Sequence, residues 1–271
     1  MLLTRVIRDE IHLQRIARNE PQLGALRILG RQVSHLLELR SRLLKAVVAV
    51  VVAFLVLLPV DDRLYTLVSA PFRAMLPPDG RLIATQVTSG FFAPMRLAFF
   101  AALALAAPVV LYQLWAFIAP GLYDKEKRLA RPLLVAATLL FYAGCAFTGF
   151  LVLPLMFAWF IAATPAGVTT MTDINEYLDF IMVMLLAGGV SFEVPIAVLI
   201  AVILGWVTPA QLVEWRGYVI VAIFVIAAII TPPDGLSQVM LAVPMCLLYE
   251  AGIVVARVLR RRADAAGPQA S

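Results

Sequence analysis

The chain has 271 residues, of which 62% are hydrophobic and 14% charged, with a net charge of +5 and a mean hydropathy of +0.93. A soluble domain carries roughly 45–50% apolar and about 25% charged residues. This composition cannot supply a water-exposed surface, so it excludes a soluble globular enzyme and points to an all-α, polytopic membrane protein whose apolar runs face lipid or one another.

Residues 1–33 are polar and mixed in charge, and read as a cytoplasmic N-terminal extension with a short helix around Glu10–Arg18. They lack the apolar core of a cleavable leader. Ser34 suits an N-cap. Leu36, Leu39 and Leu43 then recur at helical spacing, while His35, Glu38 and Arg42 share another face. A cytoplasmic amphipathic helix is therefore expected to lead into a first span at about Leu43–Pro59. Within it Glu38 and Arg42 stand at i,i+4, a pair worth about 0.2–0.5 kcal/mol on a helix surface.

In the loop Asp61–Gly90, Leu64, Leu67 and Val68 predict a short amphipathic helix stopped by Pro71, with a second turn around Phe72–Leu76 before Pro77 and Pro78. Further spans are predicted at about Phe92–Ile118, Pro132–Ala162, Tyr177–Leu204, Tyr218–Ile230 and Leu236–Ala256, which makes six. A bilayer core of roughly 30 Å needs about 20 helical residues. The stretch Gly217–Ile230 reaches only about 21 Å at the helical rise, so the fifth span implies a locally thinned bilayer or support from its neighbours.

The charges set the orientation. Nine of the 22 basic residues lie in the first 45 positions, and between Arg131 and Arg257 the only basic residue is Arg216. Lys125, Lys127, Arg128 and Arg131 mark the loop after the second span as cytoplasmic, and Arg257, Arg260, Arg261 and Arg262 do the same for the tail, residues 258–271. The loop Ala163–Glu176 carries only acids and belongs outside. Both termini are thus expected in the cytoplasm, with the transmembrane domain over residues 34–257 and short helices on the periplasmic side. The positive-inside rule accounts for the basic clusters, so no nucleic-acid partner is expected.

Much chemistry is missing. His12 and His35 both precede the first span, which leaves no membrane-depth ligand for haem and no histidine for an intramembrane serine protease. There is no zinc-ligand spacing and no phosphate-binding G-x-x-x-x-G-K-[ST] loop. Cys145 and Cys246 lie inside apolar runs, away from any disulfide framework. No metal, cofactor or enzymatic activity is expected.

The polar residues that remain are few. Glu193 stands mid-span in Ser191-Phe192-Glu193-Val194-Pro195. A carboxylate at that depth is costly and normally faces a bundle interior or a wet cavity. Pro195 has no N–H to offer the carbonyl of Ser191, so a polar notch beside a kink is expected. The alternative is a structural, protonated glutamate bonded to a neighbouring helix. Glu126 sits in the charged loop Tyr123–Arg128, where solvation alone would explain it. Thr231-Pro232-Pro233-Asp234 reads as a tight turn with caps, followed by Ser237 and Gln238.

Taken in order, these segments resemble TatC, the multi-spanning receptor subunit of the twin-arginine protein translocase. The matching pieces are His35–Leu43, Ser69-Ala70-Pro71, Pro108–Tyr123 with Glu126 and Arg128, Phe141-Tyr142, Ser191–Pro195, and Thr231–Asp234 with Ser237 and Gln238. Gly90 departs from the proline that many members carry before the aromatic pair. The resemblance implies that Glu38, Arg40, Glu126 and Phe117 receive a twin-arginine signal peptide, and that Glu193 is the family's intramembrane glutamate. It also implies functional roles for Pro71 and Asp234 on the outer side, and places Thr231 and Gln238 near the docking site of the single-span partners TatA and TatB. The implied function is a receptor, driven by the proton-motive force, that exports folded cargo across the cytoplasmic membrane and self-associates in a larger complex within the lipid. A proton-coupled small-molecule transporter using Glu193 is the alternative. It would predict inverted-repeat symmetry between the halves, which the sequence lacks.

Overall fold

The computed structural model describes residues 37–75, 81–118, 127–165, 168, 171–231 and 234–266. Ser34, the N-cap expected there, Glu126, and the extension 1–33 lie outside them. Contacts divide the chain into two compact units, residues 1–47 and 48–271.

Residues 37–57 are helical (α1). Pro59 sits in a 3-10 turn, Leu58–Val60, as its missing N–H and fixed φ allow. The chain then enters α2, Asp61–Met75, with Asp61 and Asp62 placed favourably against the helix dipole. Two short helices separated at Pro71 were expected here. Instead Pro71 lies inside one 15-residue helix. A proline removes a single backbone bond, and the rest of the helix absorbs that loss.

The second span is α3, Ser89–Ile118. The third is α4, Lys127–Phe147, a π-helical turn, Thr148–Val152, and α5, Leu153–Ala163. The π turn ends just before Pro154, where the amide of Leu153 donates to the carbonyl of Thr148, five residues back. The fourth span is also interrupted: α6, Ile174–Ser191, stops, and α7, Val194–Ile203, restarts after Phe192 and Glu193. Pro195 at the start of α7 produces the expected break. Gly205, at φ 71°, then turns the chain, as a helix terminator in the left-handed region does.

A short helix, α8 (Pro209–Glu214), opens with a capping box between Thr208 and Gln211. It leads to α9, Arg216–Ile230, and α10, Gly235–Ala266. Among the described residues, five helical segments are long and apolar enough to cross a membrane: Leu37–Ala70, Ser89–Phe117, Pro132–Ala163, Ile174–Ile203 and Gly235–Arg261. The sixth apolar helix, Arg216–Ile230, has 15 residues and is the short one the sequence predicts. One parallel pairing, absent from the sequence expectations, joins β1 (Arg81–Ile83) to β2 (Met171–Asp173), with Arg81 opposite Met171.

The core of the second unit gathers Leu97, Met156, Leu178, Met184, Ala227 and Leu241 from five different helices. At two glycines, backbone packs directly against backbone. A Cβ on Gly144 of α4 would lie 2.5 Å from the carbonyl oxygen of Gly188 of α6, and one on Gly252 of α10 would lie 2.9 Å from the Cα of Pro195. Small residues at such points let backbones touch within a membrane, where apolar burial from water no longer drives packing.

Candidate functional site

In the first unit, Glu38 is half-buried, and its Oε1 accepts from Arg42 Nε at 3.0 Å and Nη2 at 2.5 Å. The pair predicted by spacing is therefore formed. Arg40, two residues on, is exposed. Phe117 belongs to the second unit, at the end of α3, and is half-buried.

Glu193 stands at the break between α6 and α7. Its backbone takes part in both halves: its amide donates to Val190 at 3.0 Å and its carbonyl accepts from Ala197 at 2.9 Å. Its side chain takes part in neither. Oε1 is buried with no hydrogen-bond partner among the described residues. Ser191 beside it turns its hydroxyl back to the Ala187 carbonyl at 2.5 Å, so it does not pair with the glutamate. The arrangement is a polar notch at a helix break, with one carboxylate oxygen held ready for a donor.

The turn between α9 and α10 brings three expected residues together. Thr231 is buried, and its hydroxyl donates to the Ala227 carbonyl at 2.9 Å, closing the end of α9. Asp234 Oδ1 accepts the amide of Ser237 at 2.7 Å and caps α10. Its Oδ2, and the Ser237 hydroxyl, are buried without partners among the described residues. Gln238 reaches across to α9, where its Nε2 donates to the Phe224 carbonyl at 2.9 Å. That bond sits at the edge of a shallow apolar depression of about 270 Å³ lined by Ile220, Val221, Phe224 and Val225. Pro71 is placed in α2, away from this turn in sequence and element.

The sequence expectations missed two polar connections. Arg216, the lone basic residue of its region, meets Glu250 of α10 at 2.6 Å, and Tyr249 beside it donates to the Leu212 carbonyl at 2.8 Å. The more extensive one surrounds the start of α6. Asp173 Oδ1 accepts the amides of Asn175 and Glu176, while Oδ2 accepts the hydroxyl of Thr85 at 2.6 Å and its amide at 3.0 Å. These donors, the Thr85 hydroxyl first, hold the Asp173 carboxyl down to about 2. Asn175 Nδ2 donates to Ser89 Oγ at 2.6 Å, and the Tyr177 hydroxyl to the Val68 carbonyl at 3.1 Å. The Asp173-x-x-Glu176 spacing is itself a capping signal; its partners 86 to 109 residues away carry no such signature. One turn deeper, Arg96 of α3 meets Asp179 of α6 at 3.3 Å.

The described residues hold no group of three or more His, Cys, Asp or Glu side chains able to bind a metal ion. Five long apolar helices, a sixth short one, and isolated polar groups at helix breaks and turns define a polytopic helical membrane protein.

Comparison with known proteins is specific about which. The family model described as Sec-independent protein translocase protein (TatC) matches residues 34–244, and the chain belongs to that family. It is 51% identical over 234 residues to the Sec-independent protein translocase protein TatC of Azotobacter chroococcum mcd 1, covering 86% of this chain and 92% of that one. To the TatC of Escherichia coli K12 it is 48% identical, covering 83% and 87%. A crystal structure of the twin-arginine translocase receptor TatC superposes with a TM-score of 0.75 at 34% identity, covering 83% of this chain and 98% of that one. The expected fold class and family are thereby established.

Proposed function

We propose that this chain is the signal-peptide receptor and core membrane subunit of a twin-arginine translocase, exporting folded proteins at the expense of the proton-motive force and performing no catalysis of its own. The observation that carries this is the family match over residues 34–244. The comparisons lend nothing to the small-molecule transporter alternative. The chain sits in the cytoplasmic membrane with both termini inside, so the β1–β2 end and the α9–α10 turn face outward. Residues 1–33 and 258–271 flank the transmembrane domain 34–257 on the inner side.

Glu38 and Glu126, with Arg40 and Phe117, form the entry point. Two adjacent arginines of a signal peptide present planar guanidinium forks that pair bidentately with carboxylates, which lysines cannot imitate. Glu38 suits this role: Arg42 engages only Oε1, leaving Oε2 open among the described residues. The hydrophobic part of the signal then lies near Glu193. The TatA and TatB single spans dock along α9 and α10 at Thr231 and Gln238. Pro71 and Asp234 act on the outer face, and further copies of the receptor assemble alongside.

Photocrosslinkers at positions 38, 126 and 193, challenged with Arg-Arg and Lys-Lys signal peptides, test the reading. Positions 38 and 126 should capture the Arg-Arg peptide preferentially. Undiminished capture in both Glu38→Ala and Glu126→Ala would remove those two residues from the site.

A further inference from the structure

Three side chains in five residues at the start of α6 reach three different parts of the segment 61–89. Asp173 holds Thr85, just after β1; Asn175 holds Ser89, the first residue of α3; Tyr177 holds Val68, within α2. The β1–β2 pairing adds a backbone ladder beside them. Ser89 is fully buried under this contact, and Asn175 and Tyr177 each reach their partner with a side-chain donor. Asp173 divides its carboxylate between two duties, capping its own helix with one oxygen and gripping Thr85 with the other.

A helix cap needs only one acceptor, which serine supplies as well as aspartate. Asp173 has the longer reach that the second duty requires. The segment it grips includes α2, the helix that carries Pro71. Beside these four hydrogen bonds, the three-residue ladder and apolar packing of Leu64 and Val68 join segment 61–89 to the rest of the core.

We infer that Asp173, Asn175 and Tyr177 are positioning residues: they clasp the segment 61–89 to α6 so that the two outer connections move as one body, and cargo export depends on this clasp while signal-peptide capture does not. This rests on the receptor function proposed above. The separation follows from chain order, since capture is assigned to Glu38 and Arg40 near the start of α1, to Phe117 at the end of α3 and to Glu126 beyond it, whereas the clasp lies at the starts of α3 and α6.

The decisive variant is Asp173→Ser combined with Asn175→Ala, which keeps a good cap on α6 but cannot reach Thr85 or Ser89. Export of an Arg-Arg cargo should fall about tenfold, as expected for losing hydrogen bonds to a charged acceptor, while signal-peptide photocrosslinking stays within about twofold. Thr85→Val leaves α6 untouched and should lower export in the same direction by a smaller factor. In the double variant, Arg81→Cys with Met171→Cys places two exposed, paired positions within disulfide reach. Oxidation, in which the two thiols give two electrons and two protons to an added oxidant, should restore export, and reduction should abolish the rescue. Export unchanged in both the double variant and Thr85→Val overturns the inference. So does capture falling in step with export, or an oxidised clasp that restores nothing. If the parent chain shows no Arg-Arg-dependent capture, the receptor reading itself fails.

Discussion

Gly144 and Gly188 meet backbone to side-chain position across α4 and α6, with only 2.5 Å between a Cβ built on Gly144 and the Gly188 carbonyl oxygen. The Phe192 ring closes over the same spot at 2.9 Å, so no rotation of a flexible side chain can make room. Gly144→Val should therefore destabilise the purified protein by about 1–3 kcal/mol, the usual cost of overpacking, read as a lower thermal midpoint in detergent. Gly217→Ala is the control. Nothing lies within 4 Å of its new methyl, and its midpoint should hold or rise.

Glu193 carries an opposed pair of expectations. Its Oε1 is buried with no partner among the described residues, a cost borne by the folded state. Glu193→Leu should raise the thermal midpoint, corresponding to about 1–3 kcal/mol, yet reduce export. Glu193→Gln keeps a donor and an acceptor and should retain more export than leucine. A leucine variant that exports normally would make the residue structural.

The carboxyl of Asp173, held at about 2 by Thr85, fixes an acid limit for the contact between Thr85 and the start of α6. Its folded value lies below the ordinary aspartate value of about 3.9. Its contribution is therefore fully present above about pH 4 and is lost as pH falls through about 2. At neutral pH, small changes in acidity leave it untouched. Carbon-13 titration of labelled aspartate should show a midpoint near about 2, and Thr85→Val should move it upward. An unmoved midpoint would assign the shift to the cap alone.

At the α9–α10 turn, Gln238→Ala removes the bond to the Phe224 carbonyl, and Thr231→Val removes the one to Ala227. Both bonds fasten the helix face proposed to receive the single-span partners. Each variant should weaken crosslinking between that face and TatA or TatB by severalfold, while Arg-Arg capture at positions 38 and 126 is preserved. A loss confined to capture would place the two residues at the wrong site.

Much of this fold is legible in the sequence. Apolar run length gave the spans, because a bilayer tests each segment separately. Pro195 announced the break at Glu193 because a missing N–H is a local defect, and the Thr231–Asp234 turn carries its caps in its own residues. The Glu38–Arg42 pair needed only helical spacing. What stayed hidden depends on distant partners. Asp173 reads as a loop acid until Thr85, 88 residues away, is set beside it. The π turn at Thr148–Val152 lies in a uniformly apolar stretch where periodicity has nothing to register. Pro71 misled the prediction in the opposite sense: a proline is a strong local signal, but α2 runs through it.

The 15 residues of α9 rise about 22 Å, against a hydrocarbon thickness of roughly 30 Å. Lipid beside this helix must stretch sideways to meet it, and the surface dimples around it. Two dimples that merge share a rim and strain fewer lipids than two held apart. The helix therefore attracts any other short span in the same sheet before a single side chain has touched, so that the elasticity of the bilayer gathers partners and the side chains have only to choose among them.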